Sequence, residues 1–410
     1  MTSRRREMTW NLLGQVANVV GRSIYFLLLA RTFGPSDYGV LIGVIAIFGI
    51  LAPFSSLGTP QLMVREVSRT QTSVEVCLGR MVLLNFVAAL ALCLGLGCAS
   101  RWLFPAELGL AIVLATGFSE LFFTKIAEGF SLAFNAVGNM KMAALVNHLP
   151  FAFRLVAVIV FVCLAESPTP AFYLNFYVTA GLLSALLAYG LIRFHFNAPA
   201  IEWSSFAVIR SDGFDFSMTQ ACQQINNDAD KAMLLRLATA DAAGLYGAAY
   251  RIVQVSLTPL LALNRTMYRR YFQAGAEGVA GALKLTRGLV PAALAYAGGT
   301  AALLWLLAPV IPILLGPKFS DTIPVVHLLC LLPGLKIAQE LAGSVLTGAD
   351  LQRGRGKAML LTAVLNVGLN AYLIPLYSWK GAVSATLACE AFLAAYLAVA
   401  VWARYRSEAA

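Results

Sequence analysis

The sequence predicts an all-α polytopic membrane protein: twelve transmembrane helices in two six-helix lobes related by pseudo-two-fold symmetry. Three observations predict it. First, the 410-residue chain is 59% hydrophobic and only 12% charged, far from the balance of a soluble domain. Second, it holds twelve apolar stretches near the roughly 20 residues that one bilayer crossing needs. Third, a polar helical stripe in the first stretch is repeated 209 residues later, in the seventh.

The stretches run in order along the chain. The first covers about 8–30, behind Arg4, Arg5 and Arg6. That opening imitates a secretory signal, but the stretch is too long and too polar, and no A-x-A-like cleavage site comes after it. After Asp37-Tyr38-Gly39 come 39–58, 77–97, 108–130, 142–164 and 171–192. The fourth could run several residues further. The segment 193–213 reads as a cytoplasmic amphipathic linker. The second half holds 214–236, which is rich in polar residues, then 243–263, 289–310, 323–346, 358–376 and 381–402. The expected organisation is an N-terminal lobe 1–192, the linker 193–213 and a C-terminal lobe 214–410. The longest connections, 193–213 and 264–288, leave no room for a soluble catalytic domain.

Charge sets the orientation. With both termini in the cytoplasm, eighteen cations fall on inner segments. Five fall outside: Arg31, Arg101, Arg236, Lys318 and Lys380. This asymmetry supports twelve spans in a cytoplasmic membrane with both termini inside. It also accounts for most of the formal net charge of +10, so no nucleic-acid partner is implied. The basic loops are placed to touch anionic lipid headgroups, at about 1 kcal/mol per cation.

In the first stripe Asn11, Gln15, Asn18 and Arg22 fall at i, i+4, i+7 and i+11; Gln220, Gln224, Asn227 and Lys231 repeat the spacing. At about 100° per residue each set keeps to a narrow arc of one helix face. Beyond the stripes, Tyr38-Gly39 is matched by Tyr246-Gly247, 208 residues on. Six spans per half give both halves the same orientation, as in parallel-repeat transporters. Two similar lobes facing a shared wet cavity are the expectation.

Seven cations fall within or at the edge of spans: Arg22, Arg80, Lys125, Arg154, Lys231, Arg251 and Lys336. Each would cost about 2.5–3.5 kcal/mol facing lipid at mid-depth. Arg80 lies near a cytoplasmic helix end and is expected to snorkel. Lys125 has Glu128 three residues on, Lys336 has Glu340 one turn on and Lys231 has Asp228 one turn back, so internal neutral pairs are expected there. Arg22, Arg154 and Arg251 have no acid at i±3 or i±4. Each must meet water, an anionic ligand or a carboxylate of another helix, for which Glu120, Asp230, Glu340 and Glu390 are available.

A path rich in arginine and lysine suits phosphate or diphosphate, which guanidinium binds in bidentate fashion. Amides such as Gln15, Asn18, Gln223, Gln224 and Asn227 suit sugar hydroxyls. With the cytoplasm negative, moving one negative charge outward gains about 2.3 kcal/mol per 100 mV. Asp228 and Asp230 are candidate protonation sites for a coupled ion. The seven cysteines and three histidines show no metal-ligand or disulfide spacing, and no cofactor is expected.

Several segments resemble a known family. Asn11-Leu-Leu-Gly14, Ala30-Arg31 with Gly34, Tyr38-Gly39, and Gly58 with Val64-Arg65-Glu66 are similar to the opening of the Wzx-type lipid-linked oligosaccharide flippases. These belong to the multidrug/oligosaccharidyl-lipid/polysaccharide exporter (MOP) superfamily, whose fold is MATE-like. Asp230-Lys231-x-Met233-Leu234, Gly244-x-Tyr246-x-x-Ala249-x-Arg251, Leu315-Gly316-x-Lys318-Phe319, Leu365-Asn366 through Ile374-Pro375, and Gly381-Ala382 extend the likeness over the chain. The resemblance implies alternating access and an undecaprenyl-diphosphate-linked oligosaccharide as cargo, for surface polysaccharides such as O-antigen or exopolysaccharide. Arg22, Arg154, Lys231 and Arg251 would hold the diphosphate, with Lys125, Lys336, Asp228 and Asp230 as secondary candidates. Polymerase and chain-length machinery are the implied protein partners. The chain has no spans beyond twelve, unlike the fourteen-helix lipid II flippase branch.

Two other classes compete. A drug or small-molecule antiporter of the same superfamily predicts a carboxylate-rich N-terminal lobe, yet the mid-span acid there is Glu120, beside Arg22 and Arg154. A membrane polymerase or ligase predicts paired carboxylates on a large outer loop. Here the outer acids Asp37, Glu107, Glu166, Asp241 and Asp321 stand singly in the sequence.

Overall fold

The computed structural model describes the backbone of residues 2–70, 73–200, 212–276, 278–349 and 351–409. The side chains of 2–18, 69–70, 212, 215, 261–266, 268–269, 352–353 and 409 lie outside that description. The expected roles of Asn11, Gln15 and Asn18, and most of the 193–213 linker, therefore lie outside the described residues.

The described residues form helices and no strands. In chain order these are α1 (Thr2–Ser56), α2 (Thr59–Thr70), α3 (Val74–Cys98), α4 (Leu110–Ala136), α5 (Met140–Leu164) and α6 (Pro170–His195). Then come α7 (Asp212–Leu237), α8 (Ala240–Gly275), α9 (Gly278–Leu315), α10 (Thr322–Gly348), α11 (Gln352–Tyr377) and α12 (Trp379–Ala409). Local chemistry sets several starts. Ser73, Asn139, Thr169 and Thr239 each accept a backbone N–H from the first turn of α3, α5, α6 and α8. Pro170 at the head of α6 gives up no hydrogen bond there.

Among the described residues, nine helical segments are long and apolar enough to cross a bilayer. The twelve expected spans map onto them with three differences. The 50-residue segment Val19–Ser68 is far longer than one crossing requires. It is broken at Gly34, with φ 73° and ψ −179°, a region that glycine alone enters readily. The first two spans are therefore one chain of helix with a glycine break. The helices α7 and α8 form where the seventh and eighth spans were expected but fall outside the apolar set. For α7 the cause is its run of amides and acids, Gln220 to Lys231.

Packing groups the chain into Met1–Gly39 with Met233–Ala410, and Val40–Ala232. This differs from a division near 192–214. At Gly39 a Cβ would overlap the Ala240 carbonyl, and at Gly244 one would overlap the Pro35 carbonyl. That close approach ties the first stripe-bearing segment to α8. Tyr38 adds edge contacts to Phe26 and Phe319, with ring centroids 5.8 and 6.4 Å away.

In the unit Val40–Ala232 the core joins Met63, Leu78, Met81, Phe130, Phe134, Val146 and Ile192. In the other unit it joins Tyr271, Val279, Val345, Leu346, Leu393 and Leu397. Large apolar side chains stand exposed along the long helices, among them Leu94, Leu294, Leu306, Ile313 and Val364. A water-soluble fold would bury such side chains, whereas lipid-facing helices expose them.

Candidate functional site

The polar clusters inside the spans are best taken one unit at a time. In Val40–Ala232, the middle of α4 is a π-helical turn, Ser119–Thr124. Such turns insert an extra residue into the helix and re-aim the side chains around it. Here the turn carries Glu120, which is 8% exposed. Arg154 of α5 and the Tyr177 hydroxyl of α6 both donate to the same carboxylate oxygen, Glu120 Oε1. Arg154 Nη2 also donates to Thr124 Oγ1 at 2.8 Å. The guanidinium lies 4.2 Å from the centroid of the Tyr177 ring, within cation–π range. Helix α6 comes close enough for this because Gly181 abuts Ser119, leaving no room for a Cβ. Arg154 thus takes the interhelix partner offered by the sequence, Glu120.

The second stripe is the other polar cluster of this unit. Lys231 Nζ lies 2.8 Å from Asp228 Oδ1 and 3.5 Å from Asp230 Oδ1, and it donates to the Asn227 carbonyl. Gln224 donates to the other Asp228 oxygen. Asp230 is almost fully buried and also accepts the Lys231 backbone N–H at 2.7 Å. Two carboxylates thus surround one ammonium, and with both ionised the cluster carries a formal charge of −1. The expected cationic end of the stripe is outmatched by its own neighbours, because Asp228 and Asp230 sit within one turn of Lys231.

In the other unit, Arg251 is half-buried on α8. Its Nη1 donates to Gln254 Oε1 at 3.4 Å. Among the described residues no carboxylate lies within ion-pair distance of it. Arg22 is exposed on α1.

One expected pairing and one expected placement change. Lys336 does not take Glu340. Its Nζ lies 2.5 Å from Glu390 Oε1 of α12, and Gln339 donates to Glu390 Oε2 at 2.5 Å. Glu340 instead lies 4.0 Å from Arg355. A buried acid on a facing helix binds the ammonium more tightly than a half-exposed one along the same helix. Arg80 does not snorkel. It is 2% exposed, with Glu66 Oε2 at 2.6 Å. Lys125 and Glu128 pair at 2.7 Å, as their spacing suggests.

Sequence reasoning also missed an acid pair. Burial, and after it the Asp321 carboxylate, raises the Asp241 pKa from its ordinary value. These two acids begin different helices of the same unit, and nothing in their sequence positions links them. Among the described residues no group of three or more His, Cys, Asp or Glu side chains could hold a metal ion.

Long apolar helices with buried ion pairs in their middles define a multi-pass membrane protein. Residues 5–265 match the pattern of the polysaccharide biosynthesis protein family. The match covers more than half of the chain, and the protein belongs to that family. Solved structures of the MOP superfamily share its fold. One is an inward-facing MATE family multidrug resistance transporter, at TM-score 0.73 and 15% identity, over 95% of this chain and 96% of that one. Another is the lipid II flippase MurJ in an inward closed conformation, at 0.74 and 13%, over 95% and 87%. A third is a MOP superfamily transporter from Pyrococcus furiosus, described as having a binding pocket of reverse polarity, at 0.64 and 15%, over 95% of each. A comparison with curated proteins gives no match.

Proposed function

We propose that this protein flips an undecaprenyl-diphosphate-linked oligosaccharide from the inner to the outer leaflet of the cytoplasmic membrane. It does so by alternating access, with both termini in the cytoplasm, and supplies surface polysaccharide synthesis. The observation that carries this reading is Arg251. A half-buried guanidinium on α8, the expected eighth span, with the Gln254 amide beside it, calls for an anion or water, and a diphosphate fits its fork. Arg22 and Arg154 are further proposed ligands of the diphosphate. Lys231 contributes less, because Asp228 and Asp230 already hold it. Gln15, Asn18, Gln224 and Asn227 are the proposed contacts of the sugar hydroxyls, and Lys125 and Lys336 are secondary. Membership of a polysaccharide biosynthesis family supports the cargo class, and polymerase and chain-length machinery are the proposed partners.

One observation favours a second reading. The surplus of carboxylate around Lys231 would suit an organic cation, as in a drug antiporter of the same superfamily. The two readings separate in cells lacking the native flippase. Arg154→Gln and Arg251→Gln should each abolish surface polysaccharide while leaving the protein in the membrane. Normal export by both variants would remove the flippase reading. For topology, cysteines placed near 35 and 318 should label from outside and those near 205 and 275 from inside; the reverse pattern would overturn the orientation.

A further inference from the structure

The Glu120 cluster holds a buried acid for which the transport reading has no use. We propose that Glu120 is a displaceable counter-anion: it occupies the Arg154 guanidinium between transport events, and the diphosphate takes its place. This rests on the reading of Arg154 as a diphosphate ligand.

Three observations point to exchange rather than to a fixed brace. Arg154 does not depend on Glu120 for its position. Thr124 Oγ1 at 2.8 Å and the Tyr177 ring at 4.2 Å hold the guanidinium from two other sides. When the carboxylate leaves, the cation stays oriented, which is what a preorganised anion site requires. Glu120 itself is gripped at one oxygen, since Arg154 and Tyr177 both donate to Oε1. A diphosphate presents more oxygens than this and can engage the guanidinium in bidentate fashion. Finally, Glu120 sits on a π-helical turn. The Thr124 hydroxyl donates to the Ser119 carbonyl at 3.1 Å, bonding a backbone group within the widened turn. Reverting the turn to α-helical geometry would rotate Glu120 relative to α5, so a small local change withdraws the acid.

The same exchange explains release. A lone buried arginine would hold a diphosphate too tightly to let it go. An intramolecular carboxylate that returns to the guanidinium lowers the barrier to dissociation on the far side.

The test is binding of geranyl diphosphate to purified full-length protein in detergent, measured by calorimetry. Glu120→Gln should bind about tenfold tighter than wild type, equivalent to about 1.4 kcal/mol. The gain should vanish in the double variant with Arg154→Gln. Glu120→Asp keeps the charge but pulls it back by one methylene, and should fall between the two; it decides the question if Glu120→Gln does not fold. Loss of a merely structural brace would weaken binding, not tighten it. Unchanged or weaker binding by both Glu120 variants, with Arg154→Gln still weaker than wild type, overturns the exchange and leaves the Arg154 reading standing. Wild-type affinity in Arg154→Gln removes Arg154 from the site and the exchange with it.

Discussion

Two buried ion pairs, one in each packing unit, are wired in opposite ways. In one unit the acid Glu120 lies on α4, the cation Arg154 on α5 and a tyrosine, Tyr177, on α6. In the other the cation Lys336 lies on α10 and the acid Glu390 on α12. The two clusters differ in what each depends on. Glu390 is the hub of its cluster, because Lys336 and Gln339 both bond to it. Glu120 likewise accepts from two donors, Arg154 and Tyr177, but Arg154 also touches Thr124 and the Tyr177 ring, contacts that do not involve the acid. The exchange proposed above draws on those further contacts of Arg154.

The largest expected effect comes from removing the acid of each cluster. Glu390→Ala leaves Lys336 without its carboxylate and Gln339 with only the backbone carbonyl of residue 390, and breaking a buried pair in this way costs about 3 kcal/mol or more. Glu120→Ala strands the Arg154 charge and the Tyr177 hydroxyl but leaves Thr124 and the Tyr177 ring beside the guanidinium, and should cost less, about 2 kcal/mol. The midpoint of unfolding in detergent for the two variants measures the difference. Equal losses would mean that the two clusters are wired alike after all.

A smaller effect sharpens the comparison. Replacing Lys336 and Glu390 together by Met and Leu should recover most of the loss, because a buried pair replaced by apolar side chains of similar volume is often neutral. If the double variant remains as unstable as Glu390→Ala, the pair carries more than charge balance. Tyr177→Phe is expected to cost about 1 kcal/mol, the usual size of one hydrogen bond. It keeps the ring beside Arg154 and so should spare transport. A complete loss of transport in Tyr177→Phe would place the hydroxyl itself on the cargo path.

The contrast also explains what the sequence made legible. Hydropathy and the duplicated Asn/Gln stripe were enough for the helical fold, since both depend on the 3.6-residue period. The polarity of α7 was visible as well, because Gln220 to Lys231 lie on one continuous helix. The wiring of the clusters was not. Arg154 meets a carboxylate 34 residues away and Glu390 meets a lysine 54 residues away, so a search at i±3 and i±4 finds Glu340 and misses Glu390. Arg80 fails for the same reason, its partner Glu66 lying on α2. The π-helical turn has no residue signature, yet it decides which way Glu120 points. The close approach at Gly39 and Gly244 was half visible, through the matched Tyr-Gly pairs, but which helix each glycine would meet depends on tertiary packing.

The smallest predicted effect concerns Asp241 and Asp321, a pair of like charges. The Asp241 pKa is raised in the folded protein by burial first and by Asp321 second. A carboxylate raised on folding is destabilising when ionised. The cost is present above the folded pKa and disappears as the pH falls below the unfolded value near 3.9. Asp241 is largely solvated, so screening keeps the effect small. Asp241→Asn should therefore raise the unfolding midpoint slightly at pH 7, and the gain should shrink as the pH is lowered through the acid range. A gain that is constant with pH would show that it does not come from the Asp241 charge, and so not from Asp321. A loss at pH 7 would show that the favourable effect of an acid at the α8 N-terminus outweighs the repulsion, and that the two acids are too well solvated to feel one another.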